Sequence, residues 1–477
     1  MQQLLIGRKN EIARLNKYVD SNQAEFVAIY GRHRVGKTFL VNNLFQSRLA
    51  FAMTGIIGGN RAAQLNSFAE AMDQYGGLAQ RPADWHEAFR MLRRHLMTHI
   101  PSGKPCIVFI DELPCFDTPR SGFIDAFSLF WNSWASQQPE IKLIVCGSAT
   151  AWMMTNLIDS HGGLHNRITH EMHLSEFTLH ETEEYLHARG FNWSRNMVLQ
   201  CYMAMGGVPY YLSLLDNDMS LAQNMDAMLF ARNGELQREF ARLYKTLFDN
   251  SEPYIAIVEA LFAKKKGMTR TEIGQAIKTD ANGRLTRLLQ NLVDCDLVRL
   301  YPTKGRTLSK RNGLYQLMDF FSMFYLQFMR GGDNDEKWWS KNMHTPRVNT
   351  WRGLAFERVA MAHIDQIKHA LGIDGITANY YSWRSSQAAG NAQIDIVIDR
   401  ADKMVNVCEV KYSEQPYTID KEEYGKYSSR IAAFASHSVG SRCGIVPTFI
   451  TSSGLVRNSY AEELGVREIT LDDLFWA

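Results

Sequence analysis

The chain has 477 residues, of which 45% are hydrophobic and 21% are charged, so a disordered chain is excluded and about three domains are expected at roughly 150 residues each. The 52 Lys and Arg residues nearly balance the 50 Asp and Glu residues, which leaves a net charge of +2. A uniformly basic, histone-like protein is therefore excluded, and any contact with nucleic acid has to come from a local patch.

The first third of the chain alternates between short apolar runs and helical patterns. The predicted strands cover residues 25–30, 106–110 and 142–146. The predicted helices cover residues 8–21, 39–47 and 83–100. Short buried strands that alternate with helices are typical of a parallel α/β sheet.

A glycine-rich loop follows the first predicted strand and precedes a helix. It matches the pattern G-x-x-x-x-G-K-[ST] at every fixed position. The predicted nucleotide-binding residues are Gly31, Arg32, His33, Arg34, Val35, Gly36, Lys37 and Thr38. In such a loop the backbone N–H groups face the phosphates at a helix N-terminus, the lysine reaches the outer phosphates, and the Thr38 hydroxyl ligates Mg²⁺.

The second predicted strand ends in Asp111 and Glu112. A carboxylate at this position can hold the Mg²⁺ shell, which is the role predicted for Asp111. Glu112 is predicted to orient and deprotonate the attacking water. The chain has no guanine-reading N-K-x-D tetrapeptide. The sequence therefore predicts ATP with Mg²⁺ as the cofactor and ATP hydrolysis as the reaction.

Two further residues are candidates for the same site. Ser148 follows the third strand and is predicted either to sense the γ-phosphate or to cap the turn into the next helix. Arg167 is predicted either to be an arginine finger or to be a solvated side chain. As a finger, it would act within its own chain or from a neighbouring copy in a homo-oligomer.

Five segments resemble those of the archaeal-type ATPases of the AAA+/STAND assemblage, many of which carry a C-terminal restriction-endonuclease-like domain. The segments are residues 6–11, 31–38, 110–112, 146–148 and 206–210. That family usually has a Gly-Arg pair where this chain has Asn166 and Arg167. The resemblance implies a P-loop ATPase followed by a nucleic-acid-related module.

The middle of the chain carries a local excess of positive charge. Residues 264–311 contain twelve Lys or Arg residues and four Asp or Glu residues. Two helical patterns and an apparent hairpin over residues 297–317 predict a winged helix-turn-helix. Arg284 and Arg287 are predicted to lie on the exposed face of the second helix. The wing would carry Lys304, Arg306, Lys310 and Arg311. Winged helices also serve as protein-binding modules, so this alternative stays open.

Two predicted strands near the C-terminus, residues 393–398 and 404–411, carry Asp395, Glu409 and Lys411. Glu409 and Lys411 share one face of their strand, and a short turn would bring Asp395 beside them. Asp395 and Glu409 are predicted to hold a divalent cation, and Lys411 to stabilise a phosphorane. This pattern matches the PD-(D/E)XK nuclease core, and the resemblance implies Glu357 as its additional acid. An inactive copy that only binds nucleic acid or a partner is the alternative.

The predicted fold class is α/β, with a P-loop parallel sheet, a helical lid, a winged helix and a C-terminal restriction-endonuclease-like domain. The predicted boundaries are 1–175 for the ATPase core, 176–250 for the lid, 251–330 for the winged helix and 331–477 for the nuclease-like domain. An aromatic stripe over residues 320–328 is predicted either to be core or to form a stacking platform for bases.

The seven cysteines form no C-x-x-C pair, and no apolar run approaches the ~18 residues of a membrane helix. The sequence thus predicts a cytoplasmic protein with free thiols and with no membrane partner. Three functions remain open: an ATP-driven switch that controls a metal-dependent DNA nuclease, a regulator whose nuclease-like domain only binds, and a winged-helix transcription factor with an ATPase sensor. The predicted partner is nucleic acid, DNA in particular, through the winged helix and the last domain.

Overall fold

The computed structural model describes residues 5–100, 103–158, 163–164, 166–248, 250–265, 267–302, 313–331, 335–385, 392–436 and 440–477. It divides into two compact units. The first unit comprises Met1–Glu176, Leu243–Ser251 and Asp294–Asp296, and the second comprises Phe177–Arg242, Glu252–Val293 and Leu297–Ala477. The four-part division made from the sequence stays a prediction.

The first unit is built on a parallel five-stranded sheet with the order β2-β3-β4-β1-β5. Its strands are β1 (Glu25–Tyr30), β2 (Leu49–Thr54), β3 (Cys106–Asp111), β4 (Ile141–Gly147) and β5 (His170–His173). Its helices are α1 (Lys9–Val19), α2 (Lys37–Phe45), α3 (Arg61–Gln74), α4 (Trp85–Met97), α5 (Phe123–Ser133) and α6 (Thr150–Met153), the last followed by a π-helix at Met154–Ile158. The predicted parallel α/β sheet is confirmed.

Both faces of the central strands β1, β3 and β4 are buried, which explains why these strands are mostly apolar. Along β1, Phe26 and Ala28 belong to the core beneath α3, α4 and α5. Val27 and Ile29 point to the opposite face and pack with side chains of α1 and α2. Successive side chains of a strand point to opposite faces, so a strand covered on both sides is apolar along most of its length.

The second unit begins with helices and continues through a small three-stranded sheet. The helices up to that sheet are α7 (Leu179–Ala188), α8 (Arg195–Met205), α9 (Pro209–Ser213), α10 (Leu221–Met225), α11 (Glu239–Leu247, which runs into the first unit), α12 (Glu252–Ala263), α13 (Arg270–Ala276) and α14 (Gly283–Asp294). The sheet has the order β6-β8-β7, with β6 (Met268–Thr269), β7 (Val298–Pro302) and β8 (Gly313–Leu317). β7 and β8 pair antiparallel, and the residues between them lie outside the described part of the chain.

The second unit ends in a mixed five-stranded sheet with the order β13-β12-β11-β10-β9. Its strands are β9 (Ala378–Arg384), β10 (Gln393–Arg400), β11 (Met404–Lys411), β12 (Gly444–Thr451) and β13 (Arg467–Ile469). The remaining helices are α15 (Phe320–Phe324), α16 (Trp338–Asn342), α17 (Pro346–Ala362), α18 (Ile364–Ala370), α19 (Lys421–Ala435) and α20 (Ser459–Leu464). β9, β10 and β11 pair antiparallel, whereas β12 and β13 continue parallel to β11.

The aromatic stripe is core. Phe320, Phe321, Phe324 and Phe328 are buried. Phe324 and Phe328 pack against Trp351 of α17 with ring centroids 5.3 Å apart. Buried rings cannot stack on bases, so the stacking platform predicted as the alternative is wrong. Among the residues that the structure describes, no helix has both the length and the apolar character that a membrane span requires.

Candidate functional site

The glycine-rich loop joins the end of β1, at the centre of the first unit's sheet, to the beginning of α2. Gly31 has φ +145°, and a Cβ atom there would lie 2.3 Å from the carbonyl oxygen of Leu174. Gly36 has φ +94°, a conformation that L-amino acids rarely adopt. These two positions therefore need glycine, one because the backbone of the next segment lies against it and the other because of its dihedral angle.

Lys37 is buried inside this loop, with 5% of its surface exposed. Its Nζ donates hydrogen bonds to the carbonyl oxygens of Gly31 and Arg32, at 2.8 and 2.9 Å. Burial lowers the pKa of Lys37, while the nearby carboxylate of Glu112 opposes that shift. The amine is thus held at the centre of the loop, where the phosphates of a nucleotide are expected.

Thr38 and Asp111 lie side by side although 73 positions separate them in sequence. The Thr38 hydroxyl donates to Oδ2 of Asp111 at 2.8 Å. Burial raises the pKa of Asp111 to about 6, and the adjacent Glu112 adds to the increase. A hydroxyl and a carboxylate are oxygen ligands of the kind that Mg²⁺ prefers, so this pair fits the cation that accompanies a nucleotide.

Glu112 is oriented by Ser148. The backbone N–H of Ser148 donates to Oε2 of Glu112 at 3.1 Å, and the Ser148 hydroxyl donates to Oε1 at 2.5 Å. Helix α6 has no side-chain hydrogen bond at its N-cap, so the alternative that Ser148 caps this helix is wrong. The role of Ser148 as a γ-phosphate sensor stays a prediction.

The backbone around Glu112 is also constrained. Glu112 adopts the left-handed conformation with φ 47°. Gly55, which follows β2, donates its N–H to the carbonyl oxygen of Asp111 at 2.9 Å. A Cβ atom at Gly55 would lie 2.5 Å from the carbonyl oxygen of Glu112. The end of β2 therefore packs directly against the turn that carries the two acids.

The loop is held by the charged residues Arg32, Arg8 and Glu176. The sequence predicts Arg32 as a nucleotide-binding residue, whereas it gives no role to the other two. Arg32 is fully buried and forms an ion pair with Glu176. Arg8 donates to the carbonyl oxygens of Ser175 and Val35. Arg8 lies within one of the resembling segments, so that segment carried a signal for it. Glu176 had no such signal, because an acid 144 positions away from Arg32 cannot be selected from the sequence.

One histidine lies within the same loop, and another lies beside the residue that precedes the loop. Burial lowers the pKa of His33 to about 4, and the positive charge of Arg34 adds to this effect. His173 ends β5 next to Tyr30, the last residue of β1. Its Nε2 lies 3.0 Å from Oδ2 of Asp296. Although burial lowers the pKa of His173, the hydrogen bond and charge of Asp296 raise it overall.

Arg167 is exposed, in the turn before β5. Its backbone N–H donates to the carbonyl oxygen of Leu164 at 3.1 Å. An exposed side chain is compatible with both alternatives given for this residue, and the arginine finger stays a prediction.

The C-terminal acids meet on neighbouring strands of the second unit. Ile396 of β10 pairs with Cys408 of β11, and Asp395 and Glu409 are each one residue beyond this pair, at the same end of the two strands. Oδ2 of Asp395 accepts a hydrogen bond from the backbone N–H of Val410 at 3.2 Å. Burial, together with the charges of Glu409 and Glu357, raises the pKa of Asp395 well above its usual value. The three predicted acids are therefore close enough to interact.

Lys411 bridges two carboxylates. Its Nζ lies 3.0 Å from Oε1 of Glu409 and 2.7 Å from Oε1 of Glu423 on α19. Burial lowers the pKa of Lys411, but these two acids raise it overall. Arg430, also on α19, lies 2.6 Å from Oε2 of Glu409. The prediction from sequence missed Glu423 and Arg430. Their spacing with the buried Tyr427 and Phe434 places all four residues on one face of the helix.

The donor set fits a divalent cation in its chemistry. Asp395 and Glu409 supply carboxylate oxygens, and the buried Oε1 of Gln393, on the same face of β10 as Asp395, has no hydrogen-bond partner. Within the described ranges, no group of three or more His, Cys, Asp or Glu side chains is arranged to hold a metal. A cation here would thus rest on two carboxylates, with Glu357 nearby.

The second helix of the predicted winged helix-turn-helix is α14. Arg284 and Arg287 are exposed on it, whereas Leu285, Leu289 and Leu292 are buried. Arg299, another basic residue of the segment, lies 4.2 Å from the centroid of the Tyr380 ring and is partly buried. The four wing residues Lys304, Arg306, Lys310 and Arg311 lie outside the described residues.

Residues 5–215 match the family model of an ATPase domain that is found predominantly in Archaea. An uncharacterized protein of Methanocaldococcus jannaschii is 22% identical over 359 residues, which cover 75% of this chain and 76% of that protein. The structure is similar to a Walker-type ATPase of Pyrococcus abyssi, with a TM-score of 0.48 and 18% identity over 68% of this chain and 96% of that one. It is also similar to the ORC2 protein of Aeropyrum pernix in its ADPNP–ADP complexes, with a TM-score of 0.43 and 15% identity over 71% and 95% of the two chains. The N-terminal part of this chain is an ATPase domain, and ATP hydrolysis is its activity.

Proposed function

We propose that the protein is an ATP-dependent switch that binds nucleic acid and cleaves DNA with a divalent cation held by Asp395 and Glu409. The observation that carries the proposal is the meeting of these two carboxylates across β10 and β11, with Lys411 on the same face as Glu409. An acid pair with an adjacent lysine is the set of groups that phosphodiester hydrolysis needs.

The chemistry follows from those groups. When bound, a divalent cation supplies an activated water and neutralises charge on the phosphate. Asp395 and Glu409 would hold that cation through oxygen, and Glu357 would assist them. Lys411 would place a positive charge beside the developing phosphorane, which is stabilised more strongly in a partly desolvated site than in water.

The switch would be the ATPase domain. Lys37 and the loop N–H groups would hold the phosphates of ATP, Thr38 and Asp111 would hold Mg²⁺, and Glu112 would act on the attacking water. Hydrolysis changes the charge at this site, and a change of charge is what a nucleotide switch uses to alter a protein's conformation.

Nucleic acid would be bound through α14 of the second unit. Arg284 and Arg287 are exposed there, and the apolar residues of the same helix are buried beneath them. Exposed arginines on a helix of this kind are suited to contact phosphates of the DNA backbone. They carry no information about the base sequence.

A second candidate is a regulator whose C-terminal domain binds nucleic acid without cutting it. The specific observation in its favour is that both carboxylate oxygens of Glu409 already contact cationic side chains, Lys411 at 3.0 Å and Arg430 at 2.6 Å. In an inactive copy of a metal site, cationic side chains would likewise neutralise the carboxylate in place of the metal.

The deciding experiment incubates the purified protein with plasmid and linear DNA, in Mg²⁺ or Mn²⁺, with and without ATP. An Asp395→Asn variant is the matched control, because it keeps the shape of the side chain and removes its charge. We expect metal-dependent cutting by the parent and none by the variant. Equal DNA binding by both proteins, with no cutting under any nucleotide state, would support the regulator instead.

A further inference from the structure

The carboxylate of Glu409 is shared between two cations. Lys411 contacts one oxygen at 3.0 Å, and Arg430 contacts the other at 2.6 Å. Glu409 is 4% exposed, so it is shielded from water and depends on these cations for its stability as an anion. A buried carboxylate that lost its counter-charge would be strongly destabilising.

Lys411 and Arg430 are not equivalent partners. Lys411 also lies 2.7 Å from Glu423, so its charge is divided between two acids. Among the contacts that the structure gives for Arg430, its ion pair is with Glu409 alone. Arg430 is therefore the side chain that neutralises the charge of Glu409. Lys411 connects Glu409 to a second acid, Glu423 of α19.

The position of Arg430 is set by the packing of its helix. Asp420 caps α19 by accepting from the N–H of Glu423 at 2.8 Å. Tyr427 is fully buried, and its hydroxyl donates to the carbonyl oxygen of Val407 on β11 at 2.6 Å. Arg430 lies three residues after Tyr427, on the same face of the helix. The guanidinium is thus held against the sheet at the place where Asp395 and Glu409 meet.

We propose that Arg430 is a positioning residue that occupies Glu409 in place of a divalent cation and yields that carboxylate when the cation binds. The inference rests on the proposed function, because it assigns a competitor to the same metal site. Lys411 and Arg430 already occupy the two oxygens of Glu409, so a divalent cation that binds Oε2 has to displace the guanidinium from it. The ion pair therefore lowers the affinity of the site for metal and keeps the acids in place while the metal is absent.

The test is a calorimetric titration of the full chain with Mn²⁺ in the absence of nucleotide. The C-terminal site is defined as the binding that Asp395→Asn removes. Arg430→Gln should bind Mn²⁺ at that site roughly tenfold more tightly than the parent, because a charge-assisted contact no longer competes. Arg430→Lys, which keeps a charge but loses the planar fork, should fall between the two.

Lys426 provides the matched control. It lies on the same helix and pairs with Glu422, away from Glu409. Lys426→Gln removes one positive charge from α19 and should leave the affinity for Mn²⁺ unchanged. An equal gain in Lys426→Gln and Arg430→Gln would show a general charge effect and overturn the proposal.

The remaining outcomes separate the inference from the proposed function. Equal affinity in the parent and Arg430→Gln, with binding still lost in Asp395→Asn, would overturn the inference and leave the metal site standing. Absence of Asp395-dependent binding in every variant would overturn both. If Arg430→Gln does not unfold cooperatively on heating, the Arg430→Lys variant decides the question. An Mn²⁺ affinity of Arg430→Lys equal to that of the parent would then refute the competition between Arg430 and the metal.

Discussion

The side chain of Glu112 accepts two hydrogen bonds from Ser148, one from the hydroxyl at 2.5 Å and one from the backbone N–H at 3.1 Å. Glu112 directly follows β3 and Ser148 directly follows β4, and these strands are neighbours in the parallel sheet. Because the ends of parallel strands lie at one edge, an acid after one strand meets a hydroxyl after the next. The serine therefore sets the direction in which the predicted catalytic carboxylate points.

Ser148→Ala should lower the kcat of ATP hydrolysis and leave KM nearly unchanged. A hydrogen bond to a charged group is worth about 1.5–3 kcal/mol, so the expected loss in kcat is roughly tenfold or more. Glu112→Gln should retain nucleotide binding and lose turnover. Steady-state ATPase kinetics measure both effects, and Ser133→Ala, which removes an exposed serine hydroxyl of α5, is the control. A faster Ser148→Ala enzyme would mean that the serine restrains Glu112 in a resting orientation.

The ATPase site was largely predictable because its signals are local. Strand β1, the glycine-rich loop and α2 follow one another without interruption, and Asp111 with Glu112 ends an apolar strand. Each of these patterns has a fixed spacing that comes from the geometry of phosphate binding. The structure brings Thr38 to Asp111 and Glu112 to Ser148, as the order of parallel strands requires.

The parts that sequence analysis missed depend on contacts between distant residues. β2 and β5 went unpredicted, and β5 has only four residues, three of them polar and one of them buried. Glu176 and Arg430 were missed because pairing with Arg32 or Glu409 is decided by the fold and not by spacing along the chain. Sequence patterns therefore predict loops and strand ends, whereas the ion pairs that hold these segments in place are identified only from the three-dimensional structure.

Acid should destabilise the second unit through His363, which is 1% exposed. Nε2 accepts from the N–H of Leu179 at 2.9 Å, so Nδ1 carries the proton and donates to the carbonyl oxygen of Val359 at 2.9 Å. Burial lowers the pKa of His363 to about 4, even though the bond to Val359 opposes the shift. Protonation of Nε2 would place its new N–H against the backbone N–H of Leu179, so this hydrogen bond would be lost and the two donors would repel each other.

The direction in which stability changes with pH is set by the difference between the pKa of His363 in the folded chain and in the unfolded chain. The unfolded histidine takes up its proton near pH 6.5 and the folded one near pH 4, so stability is complete above about pH 6.5 and falls as the pH falls towards 4. The full loss is about 3 kcal/mol. Urea unfolding of the parent between pH 7 and pH 4.5 should show this decline, and His363→Gln should show a flatter one. The exposed His344→Gln is the control, and equal slopes in all three proteins would contradict the assignment.

Binding of DNA should depend on salt through Arg284 and Arg287. Each phosphate contact contributes roughly one unit to the slope of log affinity against log salt concentration. The double variant Arg284→Gln, Arg287→Gln should therefore reduce that slope by about two units and weaken binding at low salt. Fluorescence anisotropy over a salt series measures the slope. Arg238→Gln, an exposed arginine outside α14, should leave it unchanged. An unchanged slope in the double variant would favour a protein partner for this helix.

Removal of Lys411 should separate metal binding from cleavage at the C-terminal acids. Lys411→Ala deletes the cation proposed to stabilise the phosphorane but leaves Asp395 and Glu409 in place, so cutting should fall about 100-fold while Mn²⁺ still binds. Asp395→Asn should lose both, because it removes one of the two carboxylates that would hold the metal.

Calorimetric Mn²⁺ titration and a plasmid-cleavage assay on the parent and the two variants measure these effects, with Lys426→Ala as the control for a lost lysine. Thr38 and Asp111 belong to the first unit, so ATP hydrolysis should be retained in each variant, and cooperative thermal unfolding reports whether the second unit is folded. A Lys411→Ala protein that cuts as fast as the parent would exclude the proposed role of Lys411 in stabilising the phosphorane.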